Sequence, residues 1–155
     1  MSSALIRTAI AAILSTVPDV GAVHEFERHA KNENELKALY MSPDLNIIRG
    51  WFVRREAQQT VGLHHDRDVR VIKWVLMGWS VFDDKTASEV AFDSLIDQII
   101  DTFKADDTLG GTVAQCSEPV ADGLAGIQVE DQGPVQFAGV LCHAARLTLT
   151  TVNYT

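Results

Sequence analysis

The stretch Val69–Phe82, VRVIKWVLMGWSVF, decides how the rest of the chain is read. Residues at alternate positions of a strand point to opposite faces. One face here carries Val69, Val71, Lys73, Val75, Met77, Trp79 and Val81, and the other carries Arg70, Ile72, Trp74, Leu76, Ser80 and Phe82. Both faces are substantially apolar, so the spacing predicts a central strand covered on both sides, by helices on one and a partner on the other. Upstream, Ile47–Arg55 (IIRGWFVRR) predicts a second strand, with Ile47, Arg49, Trp51, Val53 and Arg55 on one face and Ile48, Phe52 and Arg54 on the other. Between the two, residues 56–68 (EAQQTVGLHHDRD) are polar and contain Gly62, which predicts an extended loop joining antiparallel strands.

Two helices flank this centre. Ile6, Ile10, Ile13, Leu14 and Val17 fall at helical spacing, so a helix runs from a Ser3 cap to about Thr16 and stops at Pro18. The apolar run Ala9–Leu14 belongs to that helix, since it lacks the basic flank and the cleavage pattern of a signal peptide. Phe92, Leu95, Ile96, Ile99, Ile100 and Phe103 form the stripe of the second helix, with Thr86 and Glu89 at capping-box spacing. A short helix with Leu36, Leu39 and Tyr40 is expected after a strand over Val20–His29. Strands over Val113–Ser117, Ile127–Glu130, Val135–Leu141 and His143–Tyr154 complete the chain. The order predicts a single α+β domain over residues 1–155. It holds a largely antiparallel or mixed β-sheet with two main α-helices packed on one face.

Composition narrows the function. The chain has 155 residues, 13 basic and 21 acidic, for a formal charge of −8. A surface this acidic is poorly suited to gripping nucleic acid phosphates, though it suits a channel through which nucleic acid passes without sticking. Two cysteines are too few for a disulfide framework, and no segment has the ~20 apolar residues that span a bilayer.

Three clusters could carry function. Glu89, Asp93, Asp97 and Asp101 recur every four residues, on the helix face opposite the apolar stripe. They form either a solvated face or a negative surface that lines a pore or meets a basic partner. Arg49, Arg54, Arg55, Arg67 and Arg70, with Lys73, concentrate positive charge around the central strands. A chain with one basic and one acidic region can pair head-to-tail with its own copies, and a ring follows where the rotation closes. Ordinary compensation within the chain is the alternative. Gln58, Gln59, Leu63, His64, His65 and Asp66 lie in the polar segment, which could dock another protein. His64, His65 and Asp66 also have metal-ligand chemistry, and a small metal-dependent hydrolase is the enzymatic alternative. A small-molecule binding domain is another, which would require a sizeable apolar pocket. There is no phosphate-cradling loop, nucleophile elbow or paired-cysteine zinc motif.

The order of four segments resembles the tail terminator (tail completion, or minor tail) proteins of long-tailed bacteriophages. These are IRTAIAAIL (6–14), the strand pair GWFVRR (50–55) and IKWVLMGWSVFDD (72–84), SEVAFDSLIDQIIDTF (88–103), and the closing DTLGGTV (107–113) through HAARLTLTTVNY (143–154). The resemblance implies a structural virion protein without catalytic residues, metal or cofactor. It would be made in the host cytoplasm and sit at the head-proximal end of the tail. Such proteins form a homohexameric ring that caps the tail tube and stops its polymerisation. They meet the tail tube protein on one side and a head or neck connector protein on the other, while DNA passes through the lumen. A neck or head–tail joining protein of the same virion class is the nearest alternative.

Overall fold

The computed structural model describes residues 2–64 and 67–154. Three helices are α1 (Ser3–Ser15), α2 (Glu33–Leu39) and α3 (Ser88–Lys104). Five strands are β1 (Ala22–His24), β2 (Arg49–His64), β3 (Arg67–Val81), β4 (Gln128–Phe137) and β5 (Val140–Tyr154). The strands form one sheet in the order β1-β2-β3-β5-β4. β1 pairs parallel with β2, and every other pair is antiparallel. This is the expected α+β architecture with a mixed sheet.

β3 lies at the centre because both of its faces are apolar. Its even-numbered residues Ile72, Trp74 and Leu76 turn toward α1 and α3, where they are buried. Register aligns Val53 with Leu76 and Leu76 with Leu147, and Trp74 with Leu149, so three strands contribute to each core layer. The helical stripes close over them, with Ile6, Ile10 and Leu14 from α1 and Phe92, Leu95, Ile96, Ile99 and Phe103 from α3. At ~25 cal/mol per Å² of apolar surface, this cluster is the main source of stability.

The opposite face has a smaller core at one end only. Tyr40, Ile48, Phe52, Phe137 and Cys142 are buried there, with Leu36 and Leu39 of α2 packed against them. Trp79 stacks on Phe137, ring centroids 4.3 Å apart. Trp51 and Trp74 are thus core residues of the helix side, whereas Trp79 belongs to the second face.

Several sequence expectations are corrected. Residues 56–64 and 67–68 are strand, not loop. β2 and β3 pair continuously from Arg49↔Ser80 to Gly62↔Asp68, with a bulge between Arg55 and Ala57. The segment is polar because Arg54–Gly62 is exposed on both faces, not because it is irregular. The strand expected over Val20–His29 is only Ala22–His24, since β2 accepts it at Gly50–Phe52 alone. Val113–Ser117 contributes two isolated bridges, Gln115 to Val152 and Ser117 to Ala125, rather than a ladder. Ile127–Glu130 and Val135–Leu141 are not two strands, because β4 runs through Gly133-Pro134, a proline that an edge strand tolerates. The break falls at Ala138-Gly139, both with positive φ (50° and 78°), the two-residue loop of a type I′ hairpin. Ser2, not Ser3, caps α1 through its Oγ. α3 has no capping box: its N-cap is Ala87 in the left-handed region, with no side-chain cap.

Candidate interaction surfaces

The acidic quartet is a surface feature. Glu89, Asp93, Asp97 and Asp101 are all exposed on α3, and none has an ion-pair partner among the described residues. Gln132 of β4 donates through Nε2 to Asp93. The bond ties the ridge at Asp93 to the β4 edge of the sheet.

The expected docking segment is an edge strand. Gln58 and Gln59 lie in β2, exposed, opposite Ile72 and Val71. The Leu63 and His64 backbones extend the same strand, while His65 and Asp66 lie outside the described residues. β1 covers only Gly50–Phe52, so β2 beyond that point has no second neighbour among the described residues. A groove of about 390 Å³ borders this stretch, floored by Ala57, Gln59, Val71 and Thr150 and walled by Pro119 and Val120.

The five arginines do not form one surface. Arg49 is a structural clamp: its Nε donates to Ser80 Oγ at 3.1 Å and its guanidinium to Asp19 O at 3.1 Å. Burial lowers its pKa, against the opposing charge of Asp19. Two of its donors are thereby used inside the chain. Arg54 pairs with Glu27 at 3.5 Å. Arg55 donates to Gln58 Oε1 at 3.2 Å and has no ion-pair partner among the described residues. Arg67 is exposed and Arg70 half-buried on β3. Arg55 sits opposite Trp74 and Arg70 opposite Thr60, which places both on the helix side of the sheet.

Two groupings were not foreseen. On the face away from α1 and α3, Lys73 bridges Glu130 at 3.0 Å and Glu56 at 3.4 Å, and Arg146 bridges the same two carboxylates. Burial pushes the Glu56 carboxyl up, but hydrogen bonds and charge from Arg146 and Lys73 outweigh it and hold it below its ordinary value. The Glu130 hydrogen bond, against desolvation, raises Lys73. Only the register of four strands brings these residues together. The second grouping is His143, buried on β5, whose Nε2 lies 2.8 Å from Ser88 Oγ and whose ring stacks on Phe82 and Phe92. Ser88 Oγ also accepts the Asp83 N–H at 2.8 Å, so this pair ties the start of α3 to the sheet.

The described residues contain no group of three His, Cys, Asp or Glu side chains able to hold a metal. The His64-His65-Asp66 triplet itself falls partly outside them. No described helix is long and apolar enough to cross a membrane. No protein-family model matches the chain, and no curated protein matches it.

Proposed function

We propose that this protein is a structural subunit of a long-tailed bacteriophage, a tail terminator that assembles into a ring of about six copies. On this reading the ring caps the tail tube, ends its polymerisation and joins the tail to the head or neck, with DNA passing through its lumen. The protein then resides in the virion and performs no chemical step. The observation that carries the reading is the separation of charge on one sheet. An open edge carrying Arg55, which is in no ion pair among the described residues, lies at β2, and the acidic ridge of α3, tied to β4 through Gln132, lies at the other side. Opposite flanks of unlike character favour head-to-tail contacts, which close into rings. A net charge of −8 suits a lumen that DNA must traverse without being held.

The test is the mass of the native protein across a concentration series, by light scattering after size exclusion, together with binding to purified tail tubes. A discrete assembly of about six copies that binds tube ends supports the reading. A monomer at every concentration that also ignores tube ends overturns it.

A further inference from the structure

The free edge of β2 is the least finished part of the fold. From Arg54 to Gly62 nine consecutive residues are exposed. Their only ladder partner among the described residues is β3. Such an edge presents a row of unpaired N–H and C=O groups, a template for another strand. The opposite edge of the sheet, β4, is equally open, with seven of its ten residues exposed, Val129 among them.

Strand direction relates the two edges. β2 to β3, β3 to β5 and β5 to β4 are each antiparallel steps, so β4 runs antiparallel to β2. A rotation in small steps about an axis inclined to the strands, as in a tilted barrel, keeps neighbouring strands running in their original sense. Successive copies related in that way bring β4 against β2 in the antiparallel sense, the sense of every long pair in this sheet.

Charge selects the same match. On the helix side, β2 and β3 present Arg55 and Arg70, neither of them in an ion pair among the described residues. The acids of α3 lie on the helix side as well, tied to β4 by the Gln132–Asp93 hydrogen bond, and they too lack cationic partners among the described residues.

Level fixes the offset. Gln128 aligns with Thr148, Thr148 with Val75, and Val75 with Arg54, so β4 begins where the free edge begins and runs away from it. Overlap requires a neighbour displaced along the strands. A displacement of about five residues (~17 Å) across four strands (~19 Å) inclines them by ~40°, the tilt at which sheets close into barrels.

We propose that the β2 edge from Arg54 to Gly62 is completed by β4 of a second copy, with that copy's Asp93 and Asp97 against Arg55 and Arg70. This rests on the ring reading and deepens it by naming the interface.

The experiment uses the full chain, with Arg55→Glu, Asp97→Arg and the double variant. Each is followed by light scattering and by amide hydrogen exchange in assembled and dilute protein. Each single change is expected to weaken assembly by about tenfold or more, and the double variant to restore it. Exchange across Arg54–Gly62 and Gln128–Phe137 should slow together on assembly. Normal assembly of both single variants, with fast exchange at both edges, overturns this interface while leaving a ring intact. Protection of β2 without β4 means a two-fold β2 pairing and also overturns it. A wild-type chain that stays monomeric and does not bind tubes overturns both the interface and the ring.

Discussion

The Trp51 indole occupies the space over Gly78 where a Cβ would stand. The two residues are directly opposite on β2 and β3, and the missing side chain lets the tryptophan lie flat against the sheet, fully buried beneath Phe92. Gly78→Ala is therefore expected to force the ring aside. Overpacking of this kind costs about 1–3 kcal/mol. Urea unfolding should show a lowered midpoint with an unchanged slope, and a midpoint equal to wild type would refute the packing argument.

Trp74 Nε1 donates to Thr151 Oγ1 at 3.0 Å in the buried core. Thr151→Val keeps the shape and removes the acceptor, leaving a buried N–H unpaired. The expected loss is about 1–3 kcal/mol, with Thr151→Ser much milder because it retains the hydroxyl. Equal losses in the two variants would show that the methyl group, not the hydrogen bond, is what matters.

Burial pushes the Cys116 thiol up to about 12 and the Cys142 thiol up to about 11, from an ordinary 9.0. In the unfolded chain both ionise near the ordinary value, so the unfolded state binds fewer protons above it. Stability should be indifferent to these groups below pH 9 and fall as pH rises beyond it. Alkylation of the native protein at pH 8 should be slow, and rapid once urea unfolds it. Fast labelling of the folded protein would contradict the burial of both thiols.

Glu56 titrates in the opposite sense. Its folded carboxyl is held below the ordinary 4.5, so its contribution is present above that value and is lost as pH falls through the lower, folded one. The melting temperatures of wild type and Glu56→Gln are expected to differ near neutral pH and to converge as pH drops below 4.5. The side chain is partly exposed, so the difference should be small and should shrink with added salt.

These residues also mark what the sequence makes visible. Ile6, Ile10 and Leu14, or Phe92, Ile96, Ile99 and Phe103, repeat at helical spacing because one face of each helix is covered. The two-sided apolar pattern of Val69–Phe82 likewise places β3 at the centre of the sheet. The second half of β2 leaves no such trace. A strand that is exposed on both faces has no reason to alternate, and Glu56–Gly62 reads as a loop. Ala138-Gly139 hides its turn because alanine rarely takes a positive φ. The acidic ridge of α3 follows from four-residue spacing, but its tie to β4 at Asp93 depends on Gln132, thirty-nine residues away. The Glu56–Lys73–Glu130–Arg146 cluster and the clamp made by Arg49 depend on strand register, which residue types do not encode locally.

Trp74 and Thr151 stand 77 residues apart in the chain, whereas β2 and β3 are consecutive in sequence and pair with each other. Folding can therefore close the β2–β3 pair early, through local contacts, while β3 waits for β5. During that interval the strand that ends in the middle of the sheet is itself an open edge, with Ile72, Trp74 and Leu76 uncovered. Until β5 docks, the β3 edge is open to pairing with other chains, so slow docking is expected to favour aggregation.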